Sequence, residues 1–248
     1  MTRTLLVTGG SRGIGRATAL AAAAAGWSVG FGYRADEEAA RDAVAAIEDA
    51  GGRAVAVPGD VSVEADVLAL YAAVEAALGP LDGVVVNAGI ARSPSDFVEA
   101  QEAQMRRILE VNVLGALLCA REAARRLAHS RGGHGGAIVL VSSAAARLGS
   151  PHEYVDYAAS KGAVETLGVG LAKELAHDGV RVNVVRPGII ETEIHAAGGD
   201  PDRASRLTPS IPLRRPGTAD EVAAAILWLL GDTSSYTTGS IVEVTGGR

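Results

Sequence analysis

Thr4-Leu5-Leu6-Val7-Thr8 is a short apolar run, and Gly9-Gly10-Ser11-Arg12-Gly13-Ile14-Gly15 follows it directly. An alanine-rich stretch from Arg16 to Ala25 comes next. The first run reads as a buried strand, the second as a tight turn and the third as a helix. A glycine cluster alone could be only a turn. Its position after a strand and before a helix makes it a phosphate cradle. Glycines let the backbone approach a pyrophosphate, and a helix N-terminus offers unpaired N–H groups and partial positive charge. The spacing is Gly-x-x-x-Gly-x-Gly rather than the commoner Gly-x-Gly-x-x-Gly. The opening therefore predicts a dinucleotide-binding unit with Gly9, Ser11, Arg12, Gly13, Ile14 and Gly15 around the diphosphate.

Working outward, Ser28 to Tyr33 reads as a second strand. A site for NAD usually carries an acid at this strand's end, where it binds the ribose hydroxyls. Here the strand ends in Tyr33-Arg34, and Arg34 and Arg12 could both face a 2′-phosphate. NADP(H) is the expected cofactor, with NAD(H) possible because Asp36 is near. Asp36 to Ala50 is an amphipathic helix stopped by Gly51-Gly52. Arg53 to Val57 is a third strand, followed by Gly59-Asp60-Val61. Asp60, with Val61, either meets an adenine amino group or caps the helix that begins near Glu64.

Leu81 to Val86 is a fourth strand that ends in Asn87-Ala88-Gly89, small enough to pass close to a flat ring. Gln101 to His129 reads as one long helix with a polar Asn112 among apolar neighbours. A buried amide there needs partners. Ala137 to Val141 is a fifth strand, with Ser142-Ser143 at the carboxyl end where open α/β sheets bind ligands. Val155 to His177 is a helix, Val180 to Val185 a sixth strand, Ala219 to Leu230 a helix and Ser240 to Val244 a last strand. The glycines and prolines of 189–212 suit a lid with a short helix. The βα alternation runs throughout. It predicts an α/β fold of the Rossmann type, doubly wound, with a mostly parallel seven-stranded sheet covered by helices on both faces. One domain is expected over residues 1–248.

Composition narrows the function. Hydrophobic residues make up 48 % and aromatics 4 %, so the core must be Val, Leu, Ile and Ala. The net charge is −6 and no basic run occurs, which argues against nucleic acid and anionic membrane as partners. The single cysteine, Cys119, lies in an apolar run and reads as a buried structural thiol. No leader and no run long enough to span a bilayer is visible. A soluble, cytoplasmic protein is expected. His134 has no ligand partner at useful spacing, so no metal is expected.

Tyr157 and Lys161 stand four residues apart, and on a helix they share a face. A free phenol titrates near 10. A neighbouring ammonium favours the phenolate, so the pair can act as one proton-transfer unit. Alone, the pair could be a core tyrosine beside a surface lysine. Tyr154, three residues earlier, has Ala158 where a lysine would stand.

With these residues assembled, the chain resembles the short-chain dehydrogenase/reductase family over nearly its whole length. The resemblance rests on Thr8-Gly9-x-x-x-Gly13-x-Gly15, Asp60, Asn87-Ala88-Gly89, Asn112, Ser143, Tyr157-x-x-x-Lys161 and Pro187-Gly188-x-x-x-Thr192. The nearest likeness is to bacterial reductases labelled glucose 1-dehydrogenase or 3-oxoacyl-carrier-protein reductase. The resemblance implies that Tyr157 is the general acid in reduction and the base in oxidation. Lys161 would lower the tyrosine pKa and hold the cofactor ribose. Ser143, favoured over Ser142 by strand alternation and spacing, would orient the carbonyl. Asn112 would hold a water linking Lys161 to solvent. Asn87, Ala88 and Gly89 would border the adenine and ribose, and Thr192 the nicotinamide amide. Pro187, Gly188 and Ile190 would complete the cofactor site. Val86 stands where the family usually has a first asparagine.

The implied activity is hydride transfer between NADPH and a small-molecule carbonyl or secondary alcohol, of the ketone or 3-oxoacyl reductase type. A sugar or polyol dehydrogenase is the second reading, and a non-catalytic NADP-binding sensor or partner-binding protein a third. His152, Glu153, Tyr154 and His195 are candidates for the substrate mouth. Many relatives are tetramers, so a homotetramer or homodimer is implied, paired through Gln101–His129, Val155–His177 and Ala219–Arg248.

Overall fold

The inner strands of this chain are short, mostly apolar and largely buried, as a parallel sheet between two helix layers requires, and the two edge strands are partly exposed. The computed structural model describes residues 2–192, 199–200 and 202–248. Seven parallel strands lie in the order β3-β2-β1-β4-β5-β6-β7. They are β1 (Thr4–Thr8), β2 (Ser28–Tyr33), β3 (Arg53–Pro58), β4 (Gly83–Val86), β5 (Gly136–Val141), β6 (Val180–Pro187) and β7 (Ile241–Val244). The chain runs outward from β1 to β3, returns to place β4 beside β1, and continues to β7 on the other side. The strand order thus reverses between β1 and β4, which is where such sheets open a ligand crevice.

The helices are α1 (Gly13–Ala24), α2 (Glu37–Asp49), α3 (Glu64–Leu78), α4 (Glu102–Leu109), α5 (Ala116–Leu127), α6 (Ala145–Leu148), α7 (Val155–Leu175), α8 (Arg203–Leu207) and α9 (Ala219–Leu230). Side chains alternate across the sheet, as strand geometry dictates. Leu5, Val7, Val29 and Phe31 pack with Ala19, Ile47 and Ile226, beneath α1, α2 and α9. Leu6, Val84, Ile138 and Val182 pack with Val74, Leu118 and Val164, beneath α3, α5 and α7. Cys119 belongs to this second core, and burial pushes its thiol up to about 12. No described helix is long and apolar enough to cross a membrane.

The predicted strands are all present, with ends that match or shift by at most two residues. Helix α1 starts at Gly13 rather than Arg16, so its free N–H groups begin inside the glycine turn. The long helix expected over 101–129 is interrupted. A π-helical segment, Glu110–Gly115, separates α4 from α5, and Asn112 sits in it. An i→i+5 bulge of this kind inserts a residue without ending the helix, and it often marks a functional position. Of the expected lid, α8 and a 3₁₀ turn at Thr208–Ser210 are described, whereas 193–198 and 201, including His195, lie outside the described residues.

Candidate active site

The turn after β1 is held from across the sheet. Asn87, at the end of β4, donates both amide hydrogens, to Thr8 O and Gly9 O, each at 3.0 Å. Thr8 Oγ1 accepts from Asn87 N (2.9 Å) and Ala88 N (3.0 Å). Sequence reasoning quoted Thr8 without giving it a task; it welds β1 to β4 at the switch point. Gly9 takes φ of +69°, a backbone region that favours glycine. At Gly15 a Cβ would sit 2.1 Å from Gly9 O and 2.6 Å from Asn87 Nδ2, so only glycine fits.

A groove of about 510 Å³ runs along this edge. The turn residues Ser11 to Ile14 form one wall, Tyr33 and Arg34 the next, Asp60 and Val61 the far end, and Asn87 to Gly89 the floor. Gly15 lies beneath, out of contact with the groove. A backbone cradle, a helix N-terminus and an elongated groove suit a dinucleotide. At its far end the charges are already paired. Arg34 Nε lies 3.1 Å from Asp60 Oδ2, and Arg107 Nη2 reaches the same oxygen. Arg12 Nη1 lies 3.6 Å from Asp36 Oδ2.

Asp60 does not cap α3, whose N-cap is Val63 without a side-chain bond. Its Oδ1 instead accepts from Ser62 N (3.0 Å) and Ser62 Oγ (2.6 Å). Partial burial pushes the carboxyl up, but the Ser62 bonds and Arg107 outweigh it and hold the pKa below the usual carboxylate value.

A second, smaller cavity of about 130 Å³ opens at the ends of β5 and β6. It shares Ile14, Asn87, Gly89 and Thr192 with the groove, so the two spaces adjoin. Ser143, Tyr154, Tyr157 and Lys161 line it, with Pro187, Gly188 and Ile190. Ser142 also borders the cavity, but its hydroxyl is engaged by Glu165 Oε1 at 2.8 Å and Lys161 O at 3.2 Å. Lys161 Nζ donates to Val141 O at 2.8 Å and lies 5.7 Å from the Tyr157 ring centre.

The expected lowering of the tyrosine pKa by the lysine is not what this geometry gives. Burial pushes the Tyr157 phenol above its ordinary value, and the facing Ser143 hydroxyl and Arg203 offset only part of that. Burial also pulls Lys161 down, to about 8. Desolvation penalises both charged forms.

Asn112 is buried and lines neither space. Its Oδ1 accepts from Ile90 N at 2.8 Å; its Nδ2 donates to Ile90 O (2.9 Å) and Ser160 Oγ (3.0 Å). Ser160 Oγ in turn donates to Tyr157 O at 2.7 Å. The π segment therefore braces the loop after β4 against the helix that carries Tyr157. A Cβ at Gly89 would lie 3.3 Å from both Asn112 Oδ1 and Lys161 Nζ, so these polar atoms converge where no side chain intrudes.

Three further groups escaped sequence reasoning. Arg92 and Asp156 form a buried pair at 2.8 Å, and Asp156 Oδ1 accepts from Tyr157 N at 3.0 Å. Arg203 stacks on Tyr154, 4.6 Å from the ring centre, with Nη1 2.7 Å from Glu153 Oε1. Arg248 closes the same cavity. The position of Asp156 beside Tyr157 was the one local hint; the arginines arrive from distant segments. Of the residues expected at the mouth, Tyr154 lines it, Glu153 stands behind Arg203, and His152 is exposed and 2.7 Å from Asp96 Oδ1.

The profile of the family described as Enoyl-(Acyl carrier protein) reductase matches residues 9–248. YgfF, an uncharacterized oxidoreductase of Escherichia coli (strain K12), is 51 % identical over 243 residues, covering 98 % of each chain. The crystal structure of a short-chain type dehydrogenase/reductase from Mycobacterium marinum superposes with a TM-score of 0.92 at 34 % identity, covering 99 % of this chain and 94 % of that one. The 3-ketoacyl-(acyl-carrier-protein) reductase from Brucella melitensis, complexed with NADH, gives 0.91 at 31 % identity, covering 99 % and 98 %. With a seven-stranded parallel sheet, a glycine-lined groove and this breadth of likeness, the chain belongs to the short-chain dehydrogenase/reductase family and is an NAD(P)-dependent oxidoreductase.

Proposed function

We propose that this protein is an NADPH-dependent reductase of ketones or 3-oxoacyl compounds, with Tyr157 as the general acid. The observation that carries the reading is the convergence of Ser143, Tyr157 and Lys161 on a small cavity adjoining the dinucleotide groove. The residues from Gly9 to Gly15 hold the diphosphate, Asp60 and Val61 flank the base, and Thr192 meets the nicotinamide end. Arg34 and Arg12 exchange their carboxylate partners for a 2′-phosphate. The bound nicotinamide supplies the hydride.

Ser143 donates a hydrogen bond to the substrate carbonyl oxygen and fixes its orientation. Tyr157 gives its proton to that oxygen as negative charge develops there. Lys161 balances this charge from beside the ring, while Asn112 holds the Ile90 loop and the Tyr157 helix in register.

The whole of 1–248 acts as one nucleotide-binding domain. It works as a homotetramer or homodimer, which the exposed Leu109, Leu114, Leu117 and Trp228 on the α4–α5 stretch and on α9 support. A cytoplasmic location accords with one cysteine and hence no disulfide within the chain. Absorbance assays of NADPH and NADH consumption over ketones, 3-oxoacyl thioesters and diketones test the activity, with glucose plus NAD(P)⁺ run in reverse. Turnover with NADPH on a carbonyl is the expected result. Turnover with the sugar alone would overturn the reductase reading, and cofactor binding without any turnover would favour a sensor. Sedimentation velocity tests the assembly, and a monomer at micromolar concentration would exclude it.

A further inference from the structure

Three cationic side chains border the small cavity, in a chain whose net charge is −6. Lys161, Arg203 and Arg248 line it, and among the described residues no aspartate or glutamate does. Arg203 is 6 % exposed, although arginines are rarely buried so deeply without full pairing. Glu153 lies 2.7 Å from its Nη1 but off the N–H axes, so that buried nitrogen makes an ion pair without a hydrogen bond. Glu153 is also shared with Arg206, at 3.6 Å, so one carboxylate faces two guanidinium groups.

Arg248 borders the same cavity and comes from a distant part of the chain. Arg147 Nη2 holds its backbone carbonyl at 2.7 Å. Burial and then the nearby Arg203 lower its pKa, and Glu153 offsets part of that. Arg203 stacks on Tyr154, whose ring meets that of Tyr157 edge-on at 6.3 Å. The cation is therefore one aromatic ring away from the proposed proton donor.

We propose that the carbonyl substrate is an oxo acid, whose carboxylate binds Arg203 and Arg248 while its carbonyl, a few carbon atoms away, meets Ser143 and Tyr157. This assignment rests on the reductase reading of the same cavity and names its substrate class. A planar guanidinium matches a carboxylate in a paired, two-bond geometry. A space of about 130 Å³ suits a small acid.

The test uses 4-oxopentanoate and 5-oxohexanoate against their methyl esters, which keep the carbonyl and lose the charge. Wild type should favour each acid in kcat/KM by at least about tenfold, the scale of a charged hydrogen bond. Arg203→Gln and Arg248→Gln should each cut that acid-to-ester ratio by at least about tenfold. Arg203→Gln also strips Glu153 of a partner; if that variant fails to fold, Arg248→Gln carries the comparison. Equal use of acid and ester by wild type, or a ratio that neither variant moves, would overturn the oxo-acid assignment and leave the reductase standing. If wild type reduces none of the four compounds and no member of the wider carbonyl panel, the reductase reading fails. Thermal melts with NADPH present then decide the binding question. Stabilisation by the acids and not the esters would support the anion site, and equal or absent stabilisation would remove it.

Discussion

Around the β1–α1 turn the wall is backbone, whereas around β5 and β6 it is side chain. On the first side Gly9 takes a positive φ and Gly15 leaves no room for a Cβ, and Thr8 and Asn87 spend their hydrogen-bonding groups on main chain. On the second, Ser143, Tyr154, Tyr157 and Arg203 project into a small space, and Lys161 and Arg203 are cations taken out of water. The first side is built to recognise something invariant, a nucleotide diphosphate, through groups every residue shares. The second must discriminate among carbonyl compounds, and discrimination resides in side chains. Such a site carries unfavourable desolvation that the backbone cradle avoids.

The strongest way to break the comparison is at Tyr157. Tyr157→Phe keeps the ring and its contact with Tyr154 and removes the proton. Turnover should fall by about 10²–10⁴, the range for general acid–base catalysis, with nicotinamide affinity by fluorescence titration little changed. Near wild-type turnover would mean the side-chain half does not hold the proton donor.

Lys161 measures how much stability that half gives up. Its folded pKa of about 8 lies below the unfolded value of 10.5. Below pH 8 the folded state carries the full cost of a buried ammonium. Between the two values the unfolded chain keeps a proton that the folded one has released, so stability rises with pH. Above 10.5 the penalty is gone. Lys161→Met removes this dependence. The stability of wild type relative to the variant, from urea unfolding without cofactor, should rise by about 3 kcal/mol between pH 7 and 10.5. A pH-independent difference would show that Lys161 is paired or solvated in solution.

Gly15 is the matching probe of the backbone half. The atom that an added Cβ meets first is a carbonyl oxygen, Gly9 O, which cannot swing aside. Gly15→Ala should cost about 1–3 kcal/mol of stability, the usual scale of overpacking, and weaken NADPH binding in the same titration. A variant of unchanged melting temperature and affinity would mean that the cradle is softer than its contacts.

The same contrast decides what could be read from the chain. The strands were legible because apolar runs buried on both faces look alike wherever they occur. The cradle was legible because steric exclusion leaves glycine at fixed spacing. The π segment was not, since inserting one residue at Asn112 leaves apolar spacing on either side compatible with one continuous helix. Arg203 and Arg248 were illegible for another reason: they reach the cavity from α8 and from the far end of the chain, and no local pattern ties either to Tyr157. Tyr154 was set aside as a proton donor for lacking a lysine partner but expected at the substrate mouth, where its ring is the surface on which Arg203 rests.

The smallest effect expected lies at the open end of the groove, where backbone recognition gives way to side chains. Arg34 is exposed and shares Asp60 with the better-buried Arg107. Losing Arg34 therefore leaves Asp60 ionised and in place, still bonded to Ser62 and Arg107. A substitution here changes what the groove offers a 2′-phosphate while leaving the floor intact. Arg34→Asp exchanges a cation for an anion close to Asp60, so the region then repels a phosphate and can accept from two ribose hydroxyls. The ratio of kcat/KM for NADPH over NADH should fall by about tenfold, equivalent to 1.4 kcal/mol. Because the pair is exposed, the effect should shrink as salt is raised. An unchanged ratio at low salt would assign the choice of cofactor to Arg12, or to the backbone itself, and the boundary between the two kinds of wall would move outward by one residue.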